Sequence, residues 1–499
     1  MLRYTGHPIA DVGVATICAF CEKTDPSALI KEDLLGIAGF LEREYFSGKL
    51  SSYLTCVFPN SAYVNPTTGA AKKKLYKLKV LYGIDEPPDP AAEGLRCAFS
   101  NQPAARIAYR QHVPLLTGED VLNFFPAGIG GLPISAEFLL AVQAFPLGAR
   151  RCHGRALAVH CPDDQSLTYA FASRFLRDNQ RLLILAQKSG EKYEDAKAPK
   201  TLVIDALIDI GRSRQDWTDS DGEPACPPSV SVYHLTNSGQ GPDIDVFELP
   251  SEVISFILLA ARAGTGDVWK RIVTRSWEVP ATASATKSSR RAKKGQADAE
   301  PPQPAPAAGK NRNFLYEDLF SLPHRAARFI RTYFLRRAWR FAGPKNDPRR
   351  AYSVTQELEL VSWPLTRLFL REVIGMEKRR IEAIRELADR IASHINADND
   401  RRLFRRLYLV NRYDSFRNLL LKSSMTRVKS AQPPLISLDE FLIVFEETDE
   451  IPRIDWRLSR DLVLIRLIEE LYKQGWFTKE PDALEGLDDS DEEATDSIQ

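Results

Sequence analysis

Methionine occurs only three times and cysteine seven times in 499 residues. Seven scattered cysteines, an odd number in a long chain, make no disulfide framework, so the expected compartment is a reducing, cytoplasmic one. No apolar run approaches the roughly 18 residues of a membrane span. The best stretch, Val253 to Ala261, is closed by Glu252 and Arg262. The opening residues have no apolar h-region of a signal peptide, and no membrane partner is expected. Catalytic signatures are missing as well. There is no Gly-Lys-Ser/Thr phosphate loop, no His-Glu-x-x-His, no nucleophile elbow and no strand-anchored Gly-x-Gly-x-x-Gly. The seven histidines do not cluster with carboxylates at ligand spacing. The expectation is a chain that is not an enzyme and carries no cofactor.

Net charge is also nearly absent, at +1, yet charge is sorted along the chain. Lys270 to Arg350 holds 19 Lys/Arg against 6 Asp/Glu, whereas Glu480 to Gln499 holds 9 acids and no base. Attraction to a polyanion depends on where charge sits, not on its sum. A basic middle and an acidic tail suggest a nucleic-acid contact that the tail partly masks; the plain alternative is a solvated linker with ordinary charged helix faces.

The length suggests about two to four domains. The expected fold class is α+β: a mixed head over 1–278, a Pro/Ala/Lys-rich linker over 279–313, a helical bundle over 314–480 and an acidic tail over 481–499. In the head, Leu34 to Phe46 and Glu137 to Phe145 have helical periodicity. Leu75 to Tyr82, Arg155 to His160 and Arg181 to Ala186 read as strands, and Thr201 to Ile210 fits either state. Val230 to Leu235 and Asp245 to Leu249 read as strands about a Gly-rich turn, Thr236 to Pro242. The linker carries Arg290-Arg291-Ala292-Lys293-Lys294, which resembles a nuclear-localisation patch. Beyond it, Phe314 to Phe341, Val354 to Ile374, Glu377 to Ile395, Asp400 to Lys422, Leu438 to Glu447 and Trp456 to Trp476 carry apolar residues at helical spacing. Asp400 and Ser437 are N-cap candidates, and Pro364 kinks or splits its helix.

Two cysteine groupings invite a metal. Cys18-Ala19-Phe20-Cys21 has no second pair nearby, whereas structural zinc normally takes four ligands. Cys152, His153, His160 and Cys161 are four ligand-type side chains, but neighbours on a strand face opposite sides. The polar loops are richer. Asn60, Ser61, Asn65 and Thr67 precede Lys72, Lys73 and Lys74, so amides and hydroxyls suited to base edges adjoin cations suited to phosphates. The same residues fit a plain surface loop. Asn237 and Gln240 sit in a second such turn, suited to DNA or to a partner subunit. Arg336, Arg337 and Arg340 interleave with aromatics, and Arg401, Arg402, Arg405 and Arg406 cluster at helical spacing, a pattern suited to a single-stranded backbone. In a helix over that region, the last four should face out while Leu403, Leu407 and Val410 face in.

Tyr4-Thr5-Gly6-His7-Pro8 with Asp11-Val12-Gly13 resembles the opening of the large subunit of type I CRISPR Cascade complexes, in the I-A/I-B branch. In order along the chain follow Phe58-Pro59-Asn60 with Asn65-Pro66, Gly131-Leu132-Pro133, Gln143 to Gly148, and Thr236 to Pro242 with Leu249-Pro250. The set spans residues 4 to about 280, and the helical remainder matches in kind only. Some relatives carry Cys-x-x-Cys pairs where this chain has Cys97-Ala98-Phe99-Ser100 and Ile134-Ser135-Ala136-Glu137, which argues against zinc. The resemblance implies a non-catalytic subunit that reads the protospacer-adjacent motif in duplex DNA, helps open it and supports the displaced strand. Its implied partners are crRNA, target DNA, backbone subunits, helical small subunits, and a helicase–nuclease or transposition proteins. Type I-B relatives make their small subunit from an internal start, and Met376 offers one here, with four helices after it. A guide-independent DNA-binding regulator, or a metal-dependent enzyme built on Cys152, His153, His160 and Cys161, are the other classes open to this sequence.

Overall fold

A computed structural model describes residues 2–119, 121, 130–190, 193–213, 227–238, 241–262, 264–279, 311–339, 344, 346–448 and 451–487. The fold is α+β with small antiparallel sheets. The chain packs as two compact units, one ending at Ile254 and the other beginning at Ser255. Among the described residues no helix is long and apolar enough to cross a membrane.

The first unit is built around α1 (Pro8–Phe20). Residues Ile9 to Cys18 of this helix are all buried, as expected of a helix that is apolar nearly all round. It is followed by α2 (Lys31–Tyr45), α3 (Ser51–Val57) and α4 (Ala70–Val80). A two-stranded ribbon, β1 (Arg106–Ala108) and β2 (Leu132–Ile134), leads into α5 (Ala136–Gly148). The strands β3 (Arg150–Cys152) and β4 (Arg155–His160) precede α6 (Gln165–Ser189) and α7 (Pro199–Ser213). The strands β5 (Val230–Thr236) and β6 (Asp243–Leu249) complete an antiparallel sheet in the order β3-β4-β5-β6.

Close approach of α1 to α5 depends on glycine. A Cβ on Gly13 would lie 2.0 Å from the Ala141 carbonyl oxygen, and one on Gly148 would lie 1.9 Å from Thr16 Oγ1. Only a missing side chain lets the two helices meet so tightly. Pro146 disturbs the hydrogen bonding at the end of α5. Asn179 on α6 caps the carbonyls beyond it: its Nδ2 donates to those of Leu147 and Ala149, both at 2.7 Å.

Two strand expectations fail here. Leu75 to Tyr82 belongs largely to α4, because Ala70 to Leu75 is a run of strong helix formers without β-branching. Arg181 to Ala186 lies inside α6, with Leu183 and Ala186 buried and Ile184 and Leu185 exposed by 51% and 53%. The segment that fitted either state, Thr201 to Ile210, is the helix α7. Strands β4, β5 and β6 form where expected.

The second unit begins within α8 (Ser251–Ala260) and continues through α9 (Gly266–Arg275). The segments on either side of residues 280–310, expected to join head to bundle, pair with each other inside this unit. Trp277 bridges Asn313, Glu278 N–H donates to the Arg312 carbonyl at 2.9 Å, and Phe314 N–H donates to the Ser276 carbonyl at 2.9 Å. The Arg290 to Lys294 patch lies outside the described residues.

The long helices expected over 314–341 and 354–374 are broken. In the first, α10 (Phe314–Leu319) and α11 (Ala326–Phe329) are separated by a turn containing Pro323, which has no N–H and a fixed φ. The second is split ahead of Pro364, which lies in the first turn of α12 (Trp363–Phe369), where no N–H is needed. Both α11 and α12 run on into wider turns, Ile330–Phe334 and Leu370–Ile374. Gly375, at φ +66°, then stops the chain before α13 (Lys378–Asp398). Asp400 caps α14 (Arg401–Leu409), accepting from Leu403 N–H at 2.9 Å. The helix expected to run on to Lys422 breaks at Val410, and α15 (Tyr413–Lys429) follows. Ser437 and Glu440 form a capping box on α16 (Leu438–Phe445). The short strands β7 (Glu446–Thr448) and β8 (Ile451–Pro452) precede α17 (Trp456–Lys473) and α18 (Trp476–Lys479).

Phe329, Phe334 and Phe369 pack against Phe256 or one another in this core. Helix α17 packs on α13 and also on α12. Its buried Asp461 accepts from Arg331 at 3.0 Å and from Arg460 at 2.7 Å. Burial by itself would raise this carboxyl, but the guanidiniums of Arg460, Arg331 and Arg337 outweigh it and hold Asp461 down to about 2. A product starting at Met376 would keep α13 to α18 but lose Arg331 and α12 from this core.

Candidate nucleic-acid interface

The loop from Phe58 to Gly69 is anchored from beneath and open above. Phe58, Pro59, Ala62 and Tyr63 are buried, while Asn60, Pro66 and Thr67 are exposed. Asn60 stands at φ +64°, a left-handed conformation that asparagine tolerates better than most residues. Asn65 Oδ1 accepts from the Thr67 backbone N–H at 3.0 Å and from its hydroxyl at 2.7 Å, which makes the tip an Asx turn. Ser61 does not share this surface: its side chain is buried and its Oγ has no hydrogen-bond partner among the described residues. Its backbone serves instead, since the Ser61 carbonyl accepts from Val64 and Asn65.

Lysines on α4 divide into two sets. Lys77 pairs with Glu42 at 2.8 Å and lies over the Phe46 ring, and Lys79 pairs with Asp89 at 2.7 Å. Lys72, Lys73 and Lys74 lie near the start of the helix; Lys72 and Lys74 are exposed, and none of the three pairs with an acid among the described residues. The first turn holds no acid, and Gly69 at the N-cap offers no side-chain cap. Cations beside a helix N-terminus oppose the macrodipole, by about 0.3–1 kcal/mol each at exposed positions, and an incoming anion relieves that opposition.

Folding brings the second polar turn to the first. Asn237, at the end of β5, is fully buried, and its N–H donates to the Cys56 carbonyl at 2.6 Å, just ahead of the Phe58 loop. Its Nδ2 donates to the Arg110 carbonyl at 3.4 Å, and the Arg110 guanidinium donates to the Asn237 carbonyl. The end of α3 and two loops therefore meet at Asn237, which acts as a fastening inside the cluster rather than as an exposed reader. Gln240 lies outside the described residues. Arg110 and Gln111, on the third loop, had no sequence signal beyond ordinary loop polarity.

A buried polar network supports the cluster. Gln143 of α5 donates to the His112 carbonyl at 2.6 Å and accepts from Tyr63 OH at 3.1 Å, while its own carbonyl accepts from Tyr45 OH at 2.8 Å. Tyr76 of α4 stacks on His112 and donates to the Gln111 carbonyl at 3.0 Å. Burial pushes His112 down to about 4, so the ring is neutral near pH 7, and its Nδ1 accepts from Tyr109 N–H. Asp11, from the opening motif, is equally internal. It accepts from Thr5 N–H, Thr5 Oγ1 and Gly6 N–H at 2.7–2.9 Å and meets His160 Nε2 at 3.2 Å. Burial works to raise its carboxyl, but these hydrogen bonds prevail and hold it below the usual carboxylate range.

In the second unit, α14 presents Arg401, Arg402 and Arg406 to solvent, with Arg405 and Val410 half-buried and Leu403 and Leu407 buried. Arg401 pairs with Glu480 and Asp482, and Arg405 donates to the carbonyls of Asp482 and Glu485. Arg402 and Arg406 have no ion pair among the described residues. Arg336 is not available to a ligand: it is buried, donates twice to Glu357 Oε2 at 2.9 and 2.7 Å, and lies over the Tyr352 ring. Arg337 reaches the Tyr408 carbonyl and ring, and Arg340 lies outside the described residues.

The four ligand-type side chains are separated by the sheet. Cys152 and His153 sit at the β3–β4 turn, and His160 and Cys161 at the other end of β4, roughly five strand residues or about 16 Å away. His160 is taken up by Asp11, and Cys161 Sγ by the Ser229 carbonyl. Compared with protein-family models, curated proteins and solved structures, the chain matches none.

Proposed function

We propose that this chain is the large subunit of a crRNA-guided type I CRISPR surveillance complex, reading the protospacer-adjacent motif in duplex DNA through the loop cluster around Asn237. The observation that carries the reading is that the Asn237 turn is fastened at the Cys56 carbonyl, at the base of the Phe58 loop, and that this loop runs directly into Lys72, Lys73 and Lys74, which no acid neutralises among the described residues. Asn60 and Thr67, exposed on the loop, are assigned to base edges, with Asn65 shaping the tip, and the lysines to phosphate contacts. Guide pairing supplies most sequence specificity in such complexes, so a short readout suffices. Arg401, Arg402, Arg405 and Arg406 are assigned to the displaced single strand. The role is non-catalytic, with a helicase–nuclease or transposition proteins recruited downstream.

The test is target binding by the chain assembled with crRNA-loaded backbone subunits, on duplexes that differ only in the motif. Asn60→Ala is expected to flatten discrimination between motifs while binding persists. Full discrimination in Asn60→Ala and Asn65→Ala removes the loop as reader. Equal sequence preference by the chain alone, without guide or partners, replaces the proposal with a guide-independent DNA-binding regulator.

A further inference from the structure

We infer that the acidic segment Asp488–Gln499 docks on the Arg402–Arg406 face of α14 and competes there with nucleic acid. The approach to that face is already laid down. Residues 480–487 lie along α14: Glu480 accepts from Asn399 at 2.6 Å and pairs with Arg401 at 3.1 Å, and Glu485 O accepts from Arg405 at 2.6 Å. Trp476 donates to Asn399 at 3.0 Å, and Ala483 and Leu487 are buried, so the chain is pinned up to its last described residue.

Arg401 and Arg405 are four residues apart and form one row of the helix; Arg402 and Arg406 form the next row, about 100° around. The first row is occupied by residues 480–485. The second is exposed and has no ion pair among the described residues. The twelve residues after Leu487 hold six acids and no base. At about 3.3 Å per extended residue they reach well past the next row. Tethering places these carboxylates at an effective concentration on the order of millimolar, so the face fills when the segment as a whole, with several carboxylates on two arginines, binds with a dissociation constant of about a millimolar or below. A chain of carboxylates on arginines presents the charge pattern of a phosphate backbone, so docking and nucleic-acid binding exclude each other.

The competition rests on the proposed nucleic-acid role of α14; the docking does not, and two measurements separate them. The first is the rate of phenylglyoxal modification at each arginine, read by mass spectrometry without nucleic acid. It compares the full chain with one lacking residues 488–499, using the exposed Arg325 as control. Docking predicts that Arg402 and Arg406 react about threefold or more slowly in the full chain, with the difference lost near 0.5 M salt. Equal rates in the two chains overturn the docking. The second is affinity for a labelled oligo(dT). Deletion of 488–499 is expected to tighten binding about three- to tenfold at low salt, and not in an Arg402→Glu/Arg406→Glu background. Protection of the arginines with no oligonucleotide effect keeps the docking, overturns the competition, and counts against the single-strand role of α14.

Discussion

The buried polar groups of the first unit and the exposed cations of the two units do opposite work. Gln143, Asn179 and Asp11 make several hydrogen bonds each and are sealed from solvent. Lys72, Lys74, Arg402 and Arg406 face water and have no ion pair among the described residues. A polar group with every bond used inside the protein fixes shape, because removing it strands its partners. A cation without a partner adds little to stability and is free to meet a ligand. Several residues of the ordered motif set serve inside the protein: Asp11, Gly13, Gln143, Gly148 and Asn237 all hold the first unit together.

The largest effect should come from the closest contact. Gly13→Ala places a methyl against the Ala141 backbone and is expected to cost more than about 3 kcal/mol, near the upper end for overpacking. A denaturant midpoint within error of wild type would show that α1 and α5 separate easily. Next, Asn179→Ala strands the Arg150 guanidinium, Tyr193 OH and the end of α5, and about 2–3 kcal/mol should be lost.

Acid should act on the loop cluster through His112. Its folded pKa is depressed, so the unfolded chain takes up its proton first as pH falls below about 6.5, and stability declines from there to about 4. With allowance for its half-buried position the loss is on the order of 2 kcal/mol, and His112→Gln should remove that part of the pH dependence from urea melts between pH 7 and 4.5.

The smallest effect on stability belongs to the cations. Replacing Lys72, Lys73 and Lys74 together by alanine should change unfolding free energy by less than about 0.5 kcal/mol, while reducing the salt slope of duplex binding by about one per lysine. A large loss of stability would move these lysines to the structural side of the comparison.

Local patterns were legible where local rules suffice. The caps at Asp400 and Ser437, the stop at Gly375, the pairing of β5 with β6 and the inward Leu403 and Leu407 follow from residue type and spacing. Leu75 to Tyr82 and Arg181 to Ala186 misled because short apolar runs fit either period, and helix propensity upstream decided them. The order of residues along the chain also determined the charge sorting and the lack of recognisable catalytic motifs. Tertiary structure alone decided which polar residues are used inside: that Asn237 fastens two loops to the end of α3, that Arg336 is spent on Glu357, that the Cys152 and Cys161 ends of β4 stand apart, and that the segments flanking 280–310 meet. Each depends on partners far away in the chain, and burial, which separates a structural side chain from an available one, exists only once those partners have packed.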